Sequence, residues 1–158
     1  MFSVELKEDQ IAAALMRAVE QMEDLTPLMQ GIGEILIDST KERFKAGTSP
    51  EGTKWAAKSA TTLAAYGARK SNRIDARPLF GPTGMLSQQI FSEAERDQVA
   101  VGSARVYAAM MQFGGTKAEF PHLWGNIPAR PFLGISDADR INIVDEIEDW
   151  LRGAFNQP

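Results

Sequence analysis

The chain contains no cysteine. No disulfide, thiolate nucleophile or zinc–thiolate centre can be built from it, and nothing argues for an oxidising compartment. Its single histidine, His122, excludes multi-histidine metal sites and leaves little scope for histidine-based catalysis. Positive charge is in deficit: 17 Lys and Arg stand against 21 Asp and Glu, a net charge of −4. A global pull toward nucleic acid or anionic lipid is therefore not expected. No window approaches the roughly 20 apolar residues that span a bilayer, and the opening MFSVELKEDQ has no apolar run of signal-peptide length. The expected location is the cytoplasm of whichever cell makes the protein, away from membranes.

Catalytic signatures are missing too. There is no G-x-x-x-x-G-K-[ST], no G-x-G-x-x-G and no G-x-S-x-G. A serine-hydrolase triad would have to use His122 in a loop. Asp137 and Asp139 are close in sequence, as are Asp145, Glu146, Glu148 and Asp149. The second group lies on the outer side of a helix and reads as a solvated face, without the spacing of a known ligand set. The expectation is a protein that is not an enzyme and has no cofactor and no metal. A small hydrolase using His122 or a carboxylate pair is the alternative.

What is present describes one soluble domain spanning residues 1–158, with 44% apolar and 24% charged residues. Phe2, Val4 and Leu6 alternate with polar residues, the mark of a short strand. After Asp9, residues Ile11, Leu15, Ala18, Val19 and Met22 recur at helical spacing. Thr26-Pro27 reads as cap and first helical position. It opens a second helix to about Lys45, with Leu28, Ile32, Ile35, Leu36 and Phe44 inward. Ser49-Pro50-Glu51-Gly52 is a turn, Trp55 a core anchor, and Ser59–Ala65 a short helix. Met85 through Phe91 or Glu93 reads as a strand that pairs with Gln98–Gly102 in a hairpin. A helix follows from Tyr107, stopped by Gly114-Gly115. Ser136-Asp137 caps a last helix whose Ile141, Val144, Ile147, Leu151 and Phe155 form one apolar stripe. The fold class is α+β: a helical N-terminal half, a small antiparallel sheet with a hairpin, and a C-terminal helix packed on that sheet.

Two stretches read as shaped, partly apolar surface, YAAMMQFGG (107–115) and IPARPFLG (127–134). Trp55, Phe80, Phe120, Trp124 and Phe132 sit where strands and helices do not obviously demand them, and interfaces favour aromatics and arginine. Arg130, between Pro128 and Pro131, is held on a stiff segment and loses little entropy on binding. Candidate subunit or partner contacts are therefore Gln112, Phe113, Arg130, Pro131 and Phe132. Phe132 and Leu133 could equally close the chain's own core. Residues 66–84 form the one basic, loop-like stretch, with Arg69, Lys70, Arg73 and Arg77. They read as a mobile surface loop, or as a contact for an acidic neighbour or a nucleic-acid backbone.

The order of motifs resembles the phage virion morphogenesis family of Mu-like phages and prophages, which includes tail completion proteins. The matching residues are Phe44, Ser49–Trp55 (SPEGTKW), Thr83–Leu86 (TGML), Val101–Ser103 (VGS), Tyr107–Gly115 and Ile127–Gly134. Together they run from about Thr26 to the last helix. One departure is Met111, where the family pattern often has histidine before Gln112-Phe113-Gly114. It fits a shape role better than a chemical one. The resemblance implies a structural protein that completes the tail or joins it to the head. It also implies a homo-oligomeric ring, hexameric in the particle, that meets other tail or neck proteins. A head–tail connector touching DNA non-specifically through loop 69–77 is the alternative. The implied location is the virion, reached from the host cytoplasm during assembly.

Overall fold

A computed structural model describes residues 8–68 and 75–156. The strand expected at Phe2, Val4 and Leu6 lies outside the described residues. The elements follow the order α1 (Glu8–Met22), α2 (Thr26–Ala46), α3 (Ala60–Ala68), α4 (Met85–Gln88), β1 (Ile90–Ala94), β2 (Val99–Ser103), α5 (Ala108–Phe113) and α6 (Asp137–Asn156). This is the expected α+β order of N-terminal helices, antiparallel hairpin and C-terminal helix. The centre is α2: the hairpin packs on it, and α6 packs on α2 and α1 rather than, as expected, on the sheet, because α2 lies between them.

The start of α2 differs from expectation in one detail. Thr26 does not cap it. Instead Asp24 accepts the Thr26 N–H at 3.0 Å as well as its hydroxyl, and Leu25 precedes the first turn. The Leu25 N–H goes to the carbonyl of Arg96 in the hairpin turn at 3.1 Å, so the α1–α2 corner is tied to the sheet. The helix ends at Gly47, whose φ of 70° is the left-handed conformation glycine tolerates.

The strand expected from Met85 begins only at Ile90; Met85–Gln88 is a turn of helix. Leu86 in that turn and Ile90 at the start of the strand are both buried, so the apolar residues of this stretch reach the core from a helix and a strand in succession. The hairpin then pairs Ile90 with Ser103, Ser92 with Val101 and Ala94 with Val99. Small residues on its inner face let α2 come close. A Cβ on Gly33 of α2 would stand 2.6 Å from the Ser92 hydroxyl and 3.2 Å from a Val99 methyl, so this helix–sheet approach requires glycine.

The core gathers Phe44, Trp55, Leu79, Leu86, Ile90, Ala108 and Phe132. Phe44 is its hub, fully buried, with ring centroids of Phe132, Trp55 and Phe80 at 5.3, 5.7 and 6.0 Å. The Trp55 and Phe80 rings meet it edge-on, the arrangement aromatic quadrupoles favour.

The outer helices depart from their expected burial. Among the described side chains of α1 only Ala18 is buried; Leu15, Val19 and Met22 are more than half exposed. On α6 the expected stripe is split: Ile141, Val144 and Phe155 are 63%, 52% and 46% exposed, while Ile147 and Leu151 are half-buried. The inward line is instead Asp139, Ile143, Ile147, Trp150 and Ala154. Both lines repeat at helical spacing, so periodicity alone could not choose between them. Burial of Asp139 decides which side of the helix turns in.

Phe44→Ala should cost about 3–5 kcal/mol, read as a lower denaturant midpoint at unchanged m-value. A loss near zero would show that the three rings around Phe44 do not depend on it.

Candidate assembly surface

The two stretches singled out in the sequence meet in space. Gly114 ends α5 with φ 72°. A Cβ there would fall 2.7 Å from both the Ala129 nitrogen and the Ile127 carbonyl oxygen, so the chain crosses itself where only glycine fits. Gly115 and Ile127 exchange backbone hydrogen bonds of 2.9 and 2.8 Å, and the Arg130 N–H donates to the Met111 carbonyl at 2.8 Å. Gln112 completes the clamp. Its Oε1 accepts from the Phe132 and Leu133 N–H groups at 2.9 and 3.0 Å, and its Nε2 donates to the Leu133 carbonyl at 3.1 Å. The 127–134 segment is thus a strap, bound edgewise to α5.

The strap's other side faces the turn-rich stretch after α2. The Trp55 indole N–H donates to the Pro131 carbonyl at 2.9 Å. Arg130 is buried, and its guanidinium donates to the carbonyls of Ala56 at 2.7 Å and Ala57 at 2.9 Å. Burial pulls its pKa below the ordinary value.

Beyond the strap lies a buried ion pair between Arg43 of α2 and Asp139 of α6. Arg43 also donates to the Phe132 and Gly134 carbonyls, at 3.2 and 2.9 Å, and to the Ser39 hydroxyl at 2.8 Å. Asp139 accepts the Ser136 N–H at 2.7 Å while its own N–H donates to the Ser136 hydroxyl at 3.1 Å. This is a reciprocal cap, with Ser136 just before the helix and an acid three residues on. Burial alone would raise the Asp139 pKa. Hydrogen bonds from Ser39 and Ser136 and the adjacent Arg43 charge outweigh it, and the carboxyl is held below its usual value.

The structure therefore separates the residues expected at an interface. Phe132 is fully buried and Arg130 nearly so, both committed to the chain's own interior. Gln112 and Pro131 are half-buried. Phe113 alone points well into solvent, 78% exposed. Of the basic residues, Arg69, Lys70 and Arg73 lie outside the described residues. Arg77 is engaged: its Nε sits 3.0 Å from both Asp75 oxygens, and its guanidinium lies 3.7 Å over the Phe80 ring. The Arg77 hydrogen bond is also the main reason the Asp75 pKa is lowered.

Further exposed apolar residues lie along the chain on either side of α5, among them Phe120 and Trp124, two of the aromatics that the sequence offered for an interface. Residues 115–127 form a finger closed at its base by the Gly115–Ile127 pair. Within it, the Glu119 carboxylate accepts from the Thr116 hydroxyl and N–H at 2.7 and 3.1 Å, and Asn126 accepts the Lys117 N–H at 2.9 Å. The Thr116 hydroxyl bond is the leading cause that lowers the Glu119 pKa. His122 sits beside Phe120, ring centroids 6.2 Å apart. Trp124 is fully exposed, and Val106, just before α5, nearly so. The signal for Trp124 was already in the sequence: an aromatic among turn residues with no periodic partners.

An aromatic surface on a hydrogen-bonded loop, carried by a small α+β scaffold, is the kind of surface that proteins present to other proteins. Residues 6–152 match the phage virion morphogenesis family, and the chain belongs to it. Across 153 residues it is 28% identical to Mu-like prophage FluMu G protein 2 of Haemophilus influenzae, covering 96% of this chain and 97% of that one. Across 123 residues it is 30% identical to protein G of Escherichia phage Mu, covering 77% and 76%; that protein's name assigns it provisionally to capsid assembly. No solved structure matches the chain.

Two outcomes check the strap and its anchor. Arg130→Ala, which strips two carbonyls of their donor, should lower folding stability by about 1–3 kcal/mol; unchanged thermal unfolding would show water replacing the guanidinium at no cost. For Asp139, the lowered folded-state pKa means that its contribution is present above the ordinary value of 3.8 and is lost as pH falls through the folded-state value. Asp139→Asn should destabilise by about 3–5 kcal/mol at neutral pH and flatten the decline in stability below pH 3.8. An equally steep acid decline in the variant would assign that pH dependence to other carboxylates.

Proposed function

We propose that the protein acts as a structural component in virion assembly, completing the tail or joining it to the head, and that it does so as a homo-oligomeric ring. Membership of the virion morphogenesis family sets the process. The observation that carries the structural role is the surface around α5. Val106 before α5, Phe113 at its end and Trp124 on the finger are displayed in solvent; the finger's backbone is paired at its base and its scaffold is tied down by Gln112, Arg130 and Trp55. Exposed aromatics on a pre-ordered support suit durable protein contacts, because little entropy remains to be lost on docking. Phe113 is thereby retained as a contact residue, while Gln112, Arg130, Pro131 and Phe132 support the surface from below. Other copies of the chain and other tail or neck proteins are the proposed partners, and the mature particle the proposed location.

A phage or induced prophage carrying a stop codon early in this gene should accumulate unjoined heads and tails, or tails of abnormal length, in electron micrographs of lysates. Supplying the intact chain in trans should restore joined particles. Normal virions from the stop-codon strain would refute the proposal.

A further inference from the structure

The hairpin has room for a third strand. Its turn closes with the Glu95 N–H donating to the Gln98 carbonyl at 2.8 Å. Alternation along an antiparallel ladder then makes Glu93 with Ala100 and Phe91 with Gly102 the hydrogen-bonded pairs. The N–H and C=O groups of Val99, Val101 and Ser103 therefore point away from β1. Among the described residues, none of them makes a backbone hydrogen bond outside the hairpin. Strand edges are commonly protected by charge or proline. The outer face of β1 carries Glu93, whereas β2 reads VAVGS and has neither. We propose that residues 2–6 of one copy add as a strand to the β2 edge of a neighbouring copy; this rests on the ring assembly proposed above and supplies a contact for it.

The sequence and the layering of the helices name this occupant. Phe2, Val4 and Leu6 alternate with Ser3 and Glu5, the pattern of a strand with one apolar face. The segment is as long as β2, whose Val99 and Val101 offer a half-buried apolar face for it to extend. Its own hairpin is out of reach. On α2, a Cβ at Gly31 would meet the Glu146 carboxylate of α6, while one at Gly33 would meet Ser92 and Val99 of the hairpin. Two positions along a helix differ by about 200°, so α6 and the hairpin lie on opposite sides of α2. Helix α1 packs on α6, and Ile11, Ala12 and Ala13 near its start are exposed. Only Lys7 joins residues 2–6 to α1, a reach of about 3.5 Å against a helix thickness of about 10 Å. A neighbouring copy meets no such barrier. Strand addition draws its affinity from main-chain hydrogen bonds and its specificity from alternate side chains. It joins two different surfaces of identical chains, so it propagates in one direction and closes when its rotation divides a full turn.

The natural absence of cysteine allows the contact to be trapped. Ser3 and Glu5 occupy the polar positions of the donated segment. Ala100 is exposed, and a side chain at Gly102 would meet nothing within 4 Å. Cysteine at these positions should leave the fold intact, which thermal unfolding verifies. A chain carrying Ser3→Cys or Glu5→Cys is co-expressed with a differently tagged chain carrying Ala100→Cys or Gly102→Cys in an induced lysogen that lacks the native gene. After mild oxidation, at least one of the four pairings should give a covalent dimer of the two tagged chains. Adjacent N–H groups of a strand point to opposite sides, so Val4→Pro combined with Glu5→Pro removes an edge bond in any register. In purified protein this double variant should weaken self-association at least about tenfold and leave thermal unfolding of the dilute chain unchanged. The inference is overturned by no linkage in any pairing, or by exclusive linkage of the Ser3→Cys or Glu5→Cys thiol to another phage protein. It is also overturned if both cysteines placed in one chain link within that chain, or if the proline variant unfolds at lower temperature when dilute, since either assigns residues 2–6 to their own fold. The two proposals fail separately. A dimer of the tagged chains together with normal virions from the stop-codon strain removes the assembly role and keeps the contact. No dimer, with heads and tails unjoined in that strain, does the reverse.

Discussion

The buried pair of Arg43 and Asp139 determines more of this structure than any other contact. Taking two charges out of water costs several kcal/mol each, and their attraction compensates only when the remaining hydrogen-bonding capacity is met. Here it is met by Ser39, Ser136 and the carbonyls of Phe132 and Gly134. The pair therefore ties the last turns of α2 to two neighbouring stretches far along the chain, the end of the strap and the start of α6. Hydrophobic burial alone would tolerate α6 in more than one rotation, because two of its lines are apolar. A charge that must face its counter-charge admits only one.

That choice has a cost that becomes useful. With Asp139 turned in, Ile141, Val144 and Phe155 are turned out, and an apolar line lies open to water. A monomer gains nothing from it. An assembling protein gains a surface that is already ordered before its partner arrives. The finger shows the same division. Glycine at the crossing of α5 and the strap, with the backbone pairing of Gly115 and Ile127, fixes its base, while Trp124 at its end has nothing to touch. Strap and finger thus divide the labour of one continuous stretch of chain, the first packing inward and the second presented outward.

The aromatics illustrate how far local sequence can be read. Trp55 among turn residues was legible as a core anchor, because a large ring beside a tight turn has few other ways to leave water. Trp124, in an equally turn-rich setting, ended in solvent. The difference is made by the neighbours: Trp55 lies against Phe44 and beneath Pro131, and no element comes over Trp124. Phe132 and Arg130, read as contact residues because proline stiffens their segment, proved to be held inside. Which side of the strap faces α2 is a tertiary matter. The helix at Met85–Gln88 was missed because a four-residue helix has too few positions to show a period.

Composition, periodicity and turn chemistry were enough to exclude thiol and multi-histidine chemistry, to place α1, α2, α6 and the hairpin, and to mark the two stretches around which the surface is built. The ordered motifs were enough to indicate the family. Those features are local, so the chain carries them wherever it goes. The rotation of α6, the inward side of the strap and the exposure of the finger are different in kind. Each depends on groups from separate parts of the chain, Arg43 with Asp139, Trp55 with Pro131 and Gly114 with Ala129, and only folding brings those groups within reach of one another.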